Sequence, residues 1–160
     1  MKRVLLMMAA AMALTSCQKP AAQGEFNTAN DVTELMAHVI DPAAFMFWRG
    51  SGYELTEAGE RDLSPTTPEG WKVVEDGAVI VAEAGNLLML PGRARAPEAE
   101  WNKYAKLMTE RALEAKAAAE KQDKQAVFDT GGRLYEVCVA CHAKFIVTPP
   151  PETTKLPDAK

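Results

Sequence analysis

Near its C-terminal end the chain reads Cys138-Val139-Ala140-Cys141-His142. C-x-x-C-H is the attachment sequence of c-type haem. Cysteines three apart lie on one face of a helix, so each can add to one of the two haem vinyl groups as a thioether. The histidine that follows is carried toward the iron as an axial ligand through an imidazole nitrogen. The competing chemistry is a C-x-x-C thiol redox pair, which needs a βαβ context and a low-pKa cysteine at a helix N-terminus. Here the pair lies deep inside a helical pattern with no strand before it, which points to one covalently held haem c.

The chain has 160 residues, with three cysteines and two histidines. Those counts are too small for the paired ligands of a zinc finger or for a disulfide scaffold. A formal charge of −4 argues against nucleic acid as the main partner. Hydrophobic residues at 48% and charged residues at 25% fit a single soluble globular domain. With both histidines placed elsewhere, no Ser/His/Asp or paired-carboxylate arrangement can be assembled, so an enzyme is not expected.

The first residues read as an export signal. Lys2 and Arg3 precede an apolar run from Val4 to Leu14, too short to span a bilayer as a helix. Leu14-Thr15-Ser16-Cys17 then resembles a bacterial lipobox, which implies that residues 1–16 are removed and Cys17 is acylated. Losing Lys2 and Arg3 takes the formal charge from −4 to −6. Gln18 stands where an Asp would resemble an inner-membrane retention mark, which favours the outer membrane. Residues 17–27 read as a polar tether, and 148–160, with four prolines, as a disordered or extended tail.

Four helices must then position the motif. Thr28 to Asn30 offers caps, and Val32, Leu35, Met36, Val39, Ile40 and Ala43 form one stripe. Pro42 is expected to kink or restart this helix, with Asp41 as a new cap. Gly50 and Gly52 end it, and Arg49 to Pro68 reads as a polar loop, with no strand pattern anywhere. Thr67-Pro68 opens a second helix with the stripe Trp71, Val74, Ala78, Val81, Gly85 and Leu88. Pro97 opens a third, with Trp101, Ala105, Met108, Ala112, Ala115 and Ala119 on one face. Asp123 caps the fourth, whose stripe is Val127, Gly131, Leu134, Cys138, Cys141 and Phe145. The short connections predict an all-α antiparallel four-helix bundle over residues 28–147, with haem c attached inside it.

A lone C-x-x-C-H near the C-terminus, on the last of four helices, resembles the class II cytochromes c. That family includes cytochrome c prime and its low-spin, methionine-ligated relatives. The resemblance implies an electron carrier exposed to the periplasm, and it implies that the sixth iron ligand comes from the first helix. One departure stands out: the aromatic-arginine pair usual after the motif is here Phe145 and Ile146. On the first helix, Met36 and His38 are two residues apart, about 200° around the axis, so both cannot face one haem. Met36 is on the apolar stripe and His38 beside Glu34 and Asp41, so Met36 is the expected ligand. Plain core packing is the other role open to Met36. Met46, Met89 and Met108 are lesser candidates.

Two functional readings follow. In the first, His142 and Met36 hold the iron six-coordinate and the chain carries single electrons between redox protein partners. In the second, the iron is five-coordinate, Met36 is only a pocket wall, and the haem binds NO or CO. The resemblance also allows a homodimer. Arg93, Arg95 and Lys144 are candidate partners for haem propionates. Trp48, Trp71 and Trp101 read as core anchors. Gly131 and Gly132 inside a helix mark either a close approach by the haem edge or helix one, or a local break.

Overall fold

The computed structural model describes residues 26–145. The leader, Cys17, all but the end of the tether, and the Pro-rich tail lie outside them.

The N-terminal helix runs without a break from Val32 to Trp48 in three segments: α1 (Val32–Leu35), a π-helical turn (Met36–Ile40) and α2 (Asp41–Trp48). Its cap is Asp31, one residue beyond the expected group, whose side chain accepts from the Glu34 N–H at 2.9 Å. Pro42 stands in the first turn of the α2 segment, which opens at Asp41 as the expected restart would, but the segment follows a π turn without a break in the helix. The proline lacks an N–H for the His38 carbonyl and its ring crowds that oxygen. The helix meets this by widening one turn just before the proline: the Asp41 N–H reaches back five residues to the Met36 carbonyl.

The expectation of a strandless loop is corrected. A small antiparallel hairpin, β1 (Tyr53–Thr56) with β2 (Gly59–Asp62), pairs Tyr53 with Asp62 and Thr56 with Gly59. All of its residues are exposed. With both faces in water, nothing imposes the period-two alternation by which a strand is read from sequence. Its turn relies on Gly59, at φ +116°.

Three long helices follow: α3 (Pro68–Leu88), α4 (Glu98–Glu120) and α5 (Lys124–Phe145). The caps agree with the residues that announced them. Thr67 accepts from the Gly70 N–H at 3.1 Å, and Asp123 from the Ala126 N–H at 3.0 Å. The expected stripes of α3 and α4 are buried throughout, and so are Val127, Gly131, Leu134 and Phe145 of α5.

Neighbouring helices run antiparallel. Between α3 and α4, Trp101 Nε1 donates to Leu88 O at 2.8 Å and Thr109 Oγ1 to Ala82 O at 2.9 Å. Between α4 and α5, Trp101 packs edge-on against Phe145 at one end, while Glu114 meets Arg133 further along. The N-terminal helix lies on α3 at Gly77, where an added Cβ would come within 2.6 Å of Ala43 O. Four packed helices and a hairpin are therefore the architecture of the described residues.

Candidate functional site

The N-terminal helix and α5 touch at one end only. There Trp48 Nε1 donates to Gly131 O at 3.1 Å, and Tyr135 meets the Trp48 ring edge-on with centroids 5.8 Å apart. Gly131 marks a close approach of these helices, since a Cβ there would lie 3.2 Å from Phe47 and from Trp48; α5 runs through it unbroken. Toward Met36 the helices part, and the gap is a cavity of about 350 Å³. That volume is within the ~300–1,000 Å³ range of ligand pockets.

The cavity gathers the motif. Cys138, Cys141 and His142 line it from α5, and Met36, Ile40, Ala44 and Trp48 from the N-terminal helix. Leu88 of α3 and Tyr104 and Met108 of α4 close it behind. The cysteine side chains are half-buried and His142 is exposed. The lining is mostly apolar, with Thr33 and Asp41 as further polar contributors.

The thiols are not tuned for redox exchange. Burial pushes Cys138 up to about 11, and the neighbouring Cys141 adds to the shift. Cys141 is also raised by burial, against a smaller opposing effect of the Arg95 charge. Both cysteines lie far from the N-terminus of α5, so neither has the helix N-terminal position that lowers a thiol's pKa. A reactive C-x-x-C pair has the reverse placement.

Of the other ligand candidates, His38 points away. It is largely exposed and pairs with Glu34 at 3.3 Å, one turn back on the same helix. Met46 lines a separate surface groove with Phe45 and Val73, and Met89 packs beside the core without lining the cavity. Met108, unlike these, is buried and faces the cavity. The α4 stripe carries it, but a stripe alone does not say which side of the core is hollow.

The three propionate candidates are occupied elsewhere, and none lines the cavity. Arg93 is buried and donates to Leu87 O at 2.9 Å and Asn30 O at 3.1 Å. Arg95 donates to Phe145 O at 2.8 Å and lies over the Trp101 ring. Lys144 pairs with Glu100 at 2.6 Å.

The donor set suits haem rather than a bare ion. Among the described residues no three His, Cys, Asp or Glu side chains gather as a metal cage. Haem needs only axial ligands from the protein, because the porphyrin supplies four nitrogens. Two sulfurs at helical spacing, an adjacent imidazole, a thioether on the facing helix and apolar walls meet that need. Among the described residues no helix is long and apolar enough to cross a membrane. Compared with protein-family models, curated proteins and solved structures, the chain matches none.

Proposed function

We propose that this chain is a monohaem c-type cytochrome that carries single electrons at the cell envelope. On this reading the helical bundle holds haem c through thioethers to Cys138 and Cys141. His142 and Met36 would hold the iron, and Cys17 carries the lipid that anchors the chain to the membrane, facing the periplasm. The reading gives the chain redox proteins as partners and no substrate to turn over. The observation that carries it is the convergence of the C-x-x-C-H motif and Met36 on one apolar cavity.

When bound, haem c supplies a one-electron iron couple, whose potential a methionine ligand raises. The protein's part is positional. The N-terminal helix and α5 bring a thioether and an imidazole to opposite walls of a common space. Both are neutral donors suited to either oxidation state, so little reorganisation need accompany the electron. Ile40, Ala44, Leu88 and Val137 keep water from the inner wall. That apolar surround penalises net charge and so favours the reduced form.

The test is spectroscopic. The exported chain, produced with a c-type haem maturation system, is recorded oxidised and reduced, with and without CO, as wild type and Met36→Ala. A low-spin wild type that ignores CO, with a high-spin mutant that binds it, supports the electron carrier. A high-spin wild type that binds CO readily overturns it in favour of the gas-binding reading. A wild type carrying no covalent haem overturns both.

A further inference from the structure

The N-terminal helix and α5 face each other across the cavity with little direct contact at the Met36 end. Each packs on its other neighbour, the N-terminal helix on α3 and α5 on α4, and the connection between α3 and α4 reaches both of them with two side chains. Pro91-Gly92 turns the chain, with Gly92 at φ +83° and the Arg93 N–H bonded to Leu90 O at 3.1 Å. The turn sends the Arg93 side chain inward, where it is only 8% exposed.

Arg93 bonds in two directions. One nitrogen donates to Leu87 O at the end of α3, the other to Asn30 O, immediately before the Asp31 cap of the N-terminal helix. Its Nε is buried without a partner. No carboxylate pairs with this cation among the described residues, so its charge is spent on backbone carbonyls. Two residues on, Arg95 donates to Phe145 O, three residues past His142 on α5. Between them, Ala94 packs against the core.

We propose that Arg93 and Arg95 form a clasp that sets the width of the cleft between the Met36 and His142 walls. One short stretch of a single loop grips the start of one wall and the end of the other. Guanidinium suits this role: its planar fork holds several donors in fixed directions. The two arginines are positioning residues, acting on the ligand-bearing helices through backbone carbonyls. The consequence for the iron rests on the haem reading above; the mechanical claim does not.

The test uses the full exported chain as wild type, Arg93→Met, Arg93→Lys and Arg95→Gln. Hydrogen–deuterium exchange is followed peptide by peptide. The clasp predicts roughly tenfold faster exchange over Val32–Ile40 in Arg93→Met and over the last turn of α5 in Arg95→Gln, with the α3–α4 packing unchanged. Arg93→Lys, which keeps a donor and the charge, should recover part of the protection. In haem-loaded protein, Arg93→Met should bind CO under conditions in which wild type ignores it. Unchanged exchange at both helix ends overturns the clasp, as does faster exchange spread evenly over all helices. If the wild type carries no haem, the cytochrome reading fails, and the exchange pattern still decides the clasp.

Discussion

The indole of Trp48 and the backbone of Gly131 are matched: Trp48 Nε1 donates to Gly131 O at 3.1 Å, and a Cβ on Gly131 would lie 3.2 Å from Trp48 Cδ1. The N–H edge of the ring reaches the helix backbone because that helix lacks a side chain there. This contact is the pivot from which the two walls of the cavity diverge.

The neighbouring glycines should therefore respond oppositely to alanine. Nothing lies within 4 Å of a Cβ on Gly132. Gly132→Ala should gain about 1 kcal/mol of helix propensity and raise the melting temperature by a few degrees. Gly131→Ala meets Trp48 and the fully buried Phe47. Overpacking there should cost about 1–3 kcal/mol, outweighing the propensity gain. Thermal melts of both variants check the pair; equal shifts would mean the helices do not meet as described.

The methionines should separate by wall. If the chain carries haem as proposed, Met36→Ala should change the iron's spin state, whereas Met108→Leu should leave it unchanged and cost at most about 1.5 kcal/mol, the range of a volume-conserving core swap. His38→Ala should alter neither, because His38 faces solvent beside Glu34. A spectral change confined to Met108→Leu would move the sixth ligand from the N-terminal helix to α4.

Cys138 should be a slow nucleophile wherever haem is not attached. With its pKa pushed up to about 11 by burial, its alkylation rate should keep climbing tenfold per pH unit through pH 10. The stability sign follows from the same shift. A thiol raised from 9.0 to about 11 on folding contributes stability that is complete below pH 9 and lost as pH rises toward 11. Alkylation kinetics on a Cys17→Ser, Cys141→Ala chain without haem test this; a plateau near pH 7 would restore the thiol redox chemistry.

The hairpin is tied to the bundle by Lys124 on Asp62 at 2.6 Å. That hydrogen bond, with a second from the Ser64 N–H, holds the Asp62 carboxyl down to about 2. The contribution is present above pH 3.8 and is lost as pH falls toward 2. Asp62→Asn should speed proteolysis between Tyr53 and Asp62 at neutral pH while leaving the bundle's melting temperature nearly unchanged. A comparable loss in the melt would make the hairpin part of the core.

Much of the fold is legible in local spacing. Thr67 and Asp123 mark the starts of α3 and α5 because capping is settled within one turn, and Pro97 marks that of α4 because it cannot continue a preceding helix. The buried stripes of α3 and α4 follow the 3.6-residue period, which a helix packed on one side must show. The hairpin is silent because neither of its faces is buried. The π turn at Met36–Ile40 is silent for another reason: Pro42 announces a disturbed hydrogen bond, but a kink and a widened turn both answer it.

By itself, the sequence determined the chemistry on offer. Two cysteines and a histidine at helical spacing can meet one haem because their separation is set by covalent geometry and a single helix. It also placed the two cysteines in line with the apolar stripe of the last helix. Only the tertiary structure decided which partners the motif has. Met36 and Met108 both sit on apolar stripes, and so do residues that line no cavity. Arg93 and Arg95 read as loose cations, yet each bonds a distant carbonyl. Which side chains share a void depends on how four helices rotate and splay against one another, and that balance of packing is long-range.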